Sequence, residues 1–122
     1  MRPVHEVWEL FVDLRETVVL LAAPPADQRA WLTERQYPVD EIALDLADIV
    51  PDWFPLLGSA ALLDFDAEAS LIVLDDALDR MCGRDLDALW TVDALFTAPE
   101  WEHVRVLARR ALATLHPQDE PA

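Results

Sequence analysis

The chain has 122 residues, with 24 acidic side chains against nine basic ones, all arginine, for a formal net charge of −15. That length supports one domain with one core, and 53% hydrophobic against 27% charged residues describes a globular chain, not a disordered one. Charge of this sign repels nucleic acid and anionic membrane and attracts cationic partners, and a single cysteine, Cys82, excludes an internal disulfide. Acidic residues interrupt the apolar runs near the N-terminus, so neither a signal peptide nor a membrane span is expected, and the expected compartment is the cytoplasm.

Two glycines and nine prolines, the latter mostly between periodic segments, suit helices joined by short turns and argue against hairpins or glycine-rich phosphate loops. The fold class is therefore all-α: a compact single-domain bundle of about five to six helices over residues 1–116, followed by a polar tail, 117–122.

From Val4 to Ala22, the residues Val7, Leu10/Phe11, Leu14, Val18 and Leu21 follow helical spacing, with Glu6, Glu9, Asp13 and Glu16 on the opposite arc. Pro24-Pro25 stops this helix, although Val18 to Leu21 would also suit a short buried strand. A short second helix runs from Pro25 to Gln36, carrying Trp31 and Leu32. Pro38 opens a third, reaching Val50, with Asp40, Glu41, Asp45 and Asp48 on one arc and Ile42, Leu46, Ile49 and Val50 on the other. The run Pro51-Asp52-Trp53-Phe54-Pro55 reads as a break, because both prolines lack a backbone donor.

A fourth helix spans Asp66 to Cys82, burying Leu71, Leu74, Leu78 and Met81 beneath an outer face of Glu68, Asp75, Asp76 and Asp79, with Gly83 as its C-terminal cap and Cys82 as a small core residue. A fifth covers Asp85 to Phe96, with Leu86, Leu89, Trp90 and Leu95 inward. For the sixth, Thr97-Ala98-Pro99-Glu100 fits a capping box, and Trp101, Val104, Ala108, Ala111, Leu112 and Leu115 form the buried face. Arg105, Arg109 and Arg110 lie toward the negative end of that helix's dipole.

Between Tyr37 and Ala98 fourteen acids face only two arginines, a local net charge of −12. Within this stretch Asp75-Asp76-Ala77-Leu78-Asp79 matches the DDxxD string with which prenyl and terpene synthases hold magnesium diphosphate, but their second metal motif is missing, so we read a solvated helix face. Glu41 and Asp45 with Glu68, Asp75 and Asp79 resemble the magnesium clusters of MazG-type nucleotide pyrophosphohydrolases, which makes a metal-dependent all-α hydrolase the alternative function. The chain departs from that family in lacking paired ExxE and ExxD motifs and any lysine, and its acids lie opposite the buried stripes. Glu100-Trp101-Glu102-His103 holds one ExxH, half of the ferritin-like di-iron pattern. No cofactor, metal site or catalytic residue is expected. Trp53-Phe54, bracketed by prolines beside Asp52, reads either as an interface anchor or as a plug for the end of the core.

Three stretches, Pro38-Val39-Asp40-Glu41-Ile42-Ala43-Leu44, Leu74-Asp75-Asp76-Ala77-Leu78, and Leu89-Trp90 followed by Pro99 to Arg105, are similar to small acidic proteins of high-GC actinobacteria, some of them immunity-like. The resemblance implies a compact helical module and assigns no activity. We therefore expect a non-enzymatic, acidic protein-binding module, most concretely an immunity- or antitoxin-like inhibitor of a basic partner such as a toxin, with no nucleic-acid or membrane binding. The expected partner-binding residues are Asp40, Glu41, Asp45, Asp48, Asp75, Asp76 and Asp79, with Trp53 as anchor. A structural or adaptor protein whose acidic faces bind nothing stands as a further alternative.

Overall fold

A computed structural model describes the backbone of residues 4–59 and 61–116 and, within them, all side chains except those of 4–6, 45, 47–53 and 84. The expected tail, 117–122, lies outside the described residues. Among the described residues there are six α-helices: α1 (Val4–Ala22), α2 (Pro25–Arg35), α3 (Glu41–Ser59), α4 (Phe65–Asp79), α5 (Val92–Thr97) and α6 (Pro99–Thr114), with a 3-10 helix at Arg84–Leu89. No strand occurs among the described residues, and Val18 to Leu21 is helix. None of their helices is long and apolar enough to cross a membrane.

The four long helices form a ring in the order α1, α3, α4, α6, each packing on its two neighbours, while α2 and α5 pack together. Arg15 of α1 meets the last turn of α6 at Leu115, whereas the end of α1 lies level with Arg105, so α1 and α6 are antiparallel. Clefts shared by Ala69 and Arg110 at one end of the α4–α6 seam, and by Arg80 and Glu100 at the other, give those helices the same relation. The expected stripes are the core: Phe11, Leu14, Val18 and Leu21 of α1, Ile42 and Leu46 of α3, Leu71, Leu74 and Leu78 of α4, and Trp101, Val104, Ala108 and Ala111 of α6 are all buried. Burying a side chain of this size stabilises by about 1.5–3 kcal/mol before conformational entropy is counted.

Several local expectations are corrected. Pro51 and Pro55 do not break the third helix, which continues to Ser59. Leu46 and Leu57 are eleven residues apart, three helical turns, and both are fully buried on one face. Pro55 lies half a turn away from Leu46 and is exposed, so its ring faces water and does not disturb the buried face. Trp53 and Phe54 are consequently helical, not part of a loop; Phe54 packs against the core, and the Trp53 side chain lies outside the described residues.

The capping box of α6 does not form. Ala98 takes the cap position without a side-chain bond, and the Thr97 hydroxyl instead donates to Asp93 O at 3.0 Å in α5. The caps are elsewhere: Asp64 accepts from Ala67 N at 2.8 Å, and Thr91 Oγ1 accepts from Ala94 N at 3.1 Å. Gly83 does not cap α4, which ends at Asp79; with φ of 147° it opens the 3-10 helix, a conformation that disfavours a Cβ. The fifth helix is divided at Trp90-Thr91, and Cys82 is exposed instead of buried.

Arg105 is the largest departure, because it is buried, at 3% exposure. Its Nη1 donates to Gln28 Oε1 at 3.1 Å, and its Nε reaches Glu102 Oε2 at 3.1 Å. Gln28, itself fully buried, donates Nε2 to the carbonyls of Leu20 and Leu21 at 3.1 and 3.2 Å. These carbonyls belong to the last turn of α1, where helix geometry leaves them without intrahelical partners. One guanidinium and one amide thus join α1, α2 and α6, and no described buried side-chain polar atom lacks a partner. Gln28→Leu should destabilise the fold by about 3 kcal/mol, because it leaves the buried Arg105 with Glu102 as its one remaining partner among the described residues and removes the side-chain donor from Leu21 O. Thermal melts should show a fall of about 10 °C, and adding Arg105→Met should restore part of the loss; a melting temperature unchanged by Gln28→Leu would contradict this.

Candidate functional site

Among the described residues, the acidic segments form a cleft of about 550 Å³ between the start of α3, the end of α4 and the 3-10 helix. Val39, Ala43, Leu78 and Trp90 provide its apolar floor, and the carboxylates of Asp40, Asp75, Asp79 and Asp87 border it. No cationic side chain among the described residues lines it, and the exposed Cys82 sits at one edge.

Each wall has a local cause. The left-handed backbone of Gln36, with Tyr37 N donating to Leu32 O at 3.0 Å, ends α2 and turns the chain toward Pro38 to Asp40. On α4, Asp75 and Asp79 are one turn apart and lie to the same side of the buried Leu78, so they flank the packed stripe and do not point directly away from it. Trp90 is fixed from two sides: its indole N–H donates to Met81 O at 2.9 Å, and its ring meets Trp101 edge-on, with centroids 5.3 Å apart. The Trp101 indole in turn donates to Leu89 O, so two tryptophans hold the 3-10 segment against the bundle.

Of the residues expected from sequence, Asp40, Asp75 and Asp79 border the cleft. Asp76 does not: it turns toward the α4–α6 groove and pairs with Arg80 at 2.9 Å. The DDxxD string is therefore divided between two faces of α4. Glu41 is half-buried and does not line the cleft, and the side chains of Asp45, Asp48 and Trp53 lie outside the described residues. Among the described residues no group of three or more His, Cys, Asp or Glu side chains is arranged to hold a metal ion. His103 is exposed.

Sequence reasoning missed Asp87 and Trp90 as site residues, because both fall in a segment read as one continuous helix. It also missed the exposed apolar side chains on the outer side of α4, where Phe65 is 83% exposed and Ile72 and Val73 about half so. No protein-family model, curated protein or solved structure matches the chain.

The Asp75 carboxyl is held above its ordinary value of 3.8, first by partial burial and then by the negative charges of Asp79 and Asp76. A carboxyl whose pKa is raised on folding favours the folded state while protonated, and that contribution is lost as pH rises through the folded pKa. Asp75→Asn should therefore raise the melting temperature at pH 7, and its advantage should vanish as the pH falls below about 4. Melts across that range test this; a variant less stable than the parent at pH 7 would show that the charge is compensated.

Proposed function

We propose that this chain is a non-enzymatic, acidic protein-binding module that acts on a basic partner protein, most concretely as an immunity- or antitoxin-like inhibitor working in the cytoplasm. The observation that carries this reading is the apolar cleft bordered by four carboxylates, set in a chain of net charge −15. Charge of one sign around a low-dielectric floor concentrates the field where an oppositely charged group can approach. Pro38, Leu44 and Trp90 offer apolar area to desolvate, and Trp90, already immobilised by its indole hydrogen bond, can serve as an aromatic anchor.

The same charge opposes nucleic acid. Each phosphate would approach a surface with few cations, and Arg105 is withdrawn into the core, leaving Arg109 and Arg110 as the exposed arginines of α6. A partner that carries a positive active-site surface of its own, as a nuclease does, matches this electrostatic profile.

With a basic partner captured from the source lysate at low salt and then purified, the association rate should fall steeply as salt rises, since screening limits the reach of the charges to about 8 Å at physiological ionic strength. Neutralising Asp40, Glu41, Asp45 and Asp48 together should slow association more than it speeds dissociation. Salt-independent association would contradict the proposal. Magnesium-dependent hydrolysis of nucleoside triphosphates, abolished by Asp75→Ala or Asp79→Ala, would replace it with an enzyme.

A further inference from the structure

The cleft's two properties together restrict what can occupy it. A purely apolar segment would desolvate Asp75 and Asp79 further without a counter-charge, and burying an unpaired carboxylate is expensive. A purely cationic, well-hydrated segment would leave the exposed Pro38 and Leu44 and the part-exposed Trp90 wet and gain nothing from them. We propose that the cleft is the docking seat for a segment of the basic partner that presents an arginine beside leucine-like side chains, an inference that rests on the partner-binding reading above.

Arginine suits the geometry better than lysine. Carboxylates one helical turn apart are about 5–6 Å apart at their Cβ atoms, a spacing that the flat, forked guanidinium can bridge. Its weaker hydration and its ability to stack on an aromatic face match the fixed indole of Trp90. The aliphatic neighbours would cover Pro38 and Leu44, and the volume of about 550 Å³ accommodates more than one side chain. No described cation of the chain already fills the position.

The test uses the full chain and two synthetic peptides: an amphipathic helix of leucine and arginine, and the same peptide with serine for leucine. Binding is measured by calorimetry at low salt and at physiological salt. Two double variants of equal charge change are compared, Asp75→Asn with Asp79→Asn in the cleft, and Asp13→Asn with Glu16→Gln on the exposed side of α1. Circular dichroism and melting confirm that both remain folded.

The leucine–arginine peptide should bind, the cleft variant should weaken it about tenfold or more, and the α1 variant should weaken it by less than about twofold. The serine peptide should bind about tenfold more weakly than the leucine one. If both double variants weaken binding equally and the serine peptide binds as well as the leucine one, the acidic surface binds cations diffusely. The cleft proposal then fails while the partner-binding reading stands. If neither peptide binds even at low salt, both fail.

Discussion

A buried guanidinium sets the terms for this bundle. Arg105 enters the core only because Gln28 supplies an oxygen there, and Gln28 is held in turn by the last carbonyls of α1. This fixes α2 across the junction of α1 and α6, and so fixes where α2 ends. The left-handed turn at Gln36 then delivers Pro38 to Asp40, the first wall of the cleft, at a set position relative to α4. An all-apolar node of the same volume would pack as stably, since buried ionic groups rarely gain net stability over well-packed hydrophobes. What the polar node adds is direction, because the amide and the guanidinium are satisfied in one arrangement of the three helices.

The second determinant is the pair Trp90 and Trp101. Their indole N–H groups bind the carbonyls of Met81 and Leu89, which closes the irregular connection between α4 and α6 onto the bundle. Trp90 thereby becomes a rigid wall of the cleft, and a wall ordered in advance loses little entropy when a ligand arrives. Acidic residues tolerate this setting because they stand at the flank of the buried stripe, where one side of each carboxylate reaches water. Asp75 is the exception: half-buried and next to two like charges, its carboxyl titrates above the ordinary range.

Much of this architecture is legible in the amino-acid sequence where a single physical signal dominates. The apolar stripes of α1, α4 and α6 repeat at helical spacing, so their burial follows from periodicity alone. Signals that compete locally are less legible. Pro51 and Pro55 argue for a break, yet long-range burial of Leu46 and Leu57 carries the helix through. Thr97 and Glu100 match a capping box, yet the Thr97 hydroxyl finds a closer acceptor in the preceding turn. Arg105 falls on the same arc as Trp101, Val104 and Ala108, so its burial was available from the helical wheel; its charge argued for solvent, and the partner that reverses this, Gln28, is 77 residues away. The cleft needed both the antiparallel packing of α3 on α4 and the fold-back of Trp90, and neither is a local property. It gathers Asp40, Asp75 and Asp79 but separates Asp76 from them, a division that a five-residue motif cannot display.

The central claim is that binding is focused in this cleft and not spread over the acidic surface. Nuclear magnetic resonance of the full chain, titrated with the leucine–arginine peptide at physiological salt, tests it most directly. With a focused site, the Trp90 indole N–H and the amides of Val39, Ala43, Leu78 and Cys82 shift together along one saturable curve, while the indole of Trp31 and the amides of Asp13 and Glu16 hold still. Shifts of equal size on α1 and around the cleft, with no saturation at Trp90, would contradict it.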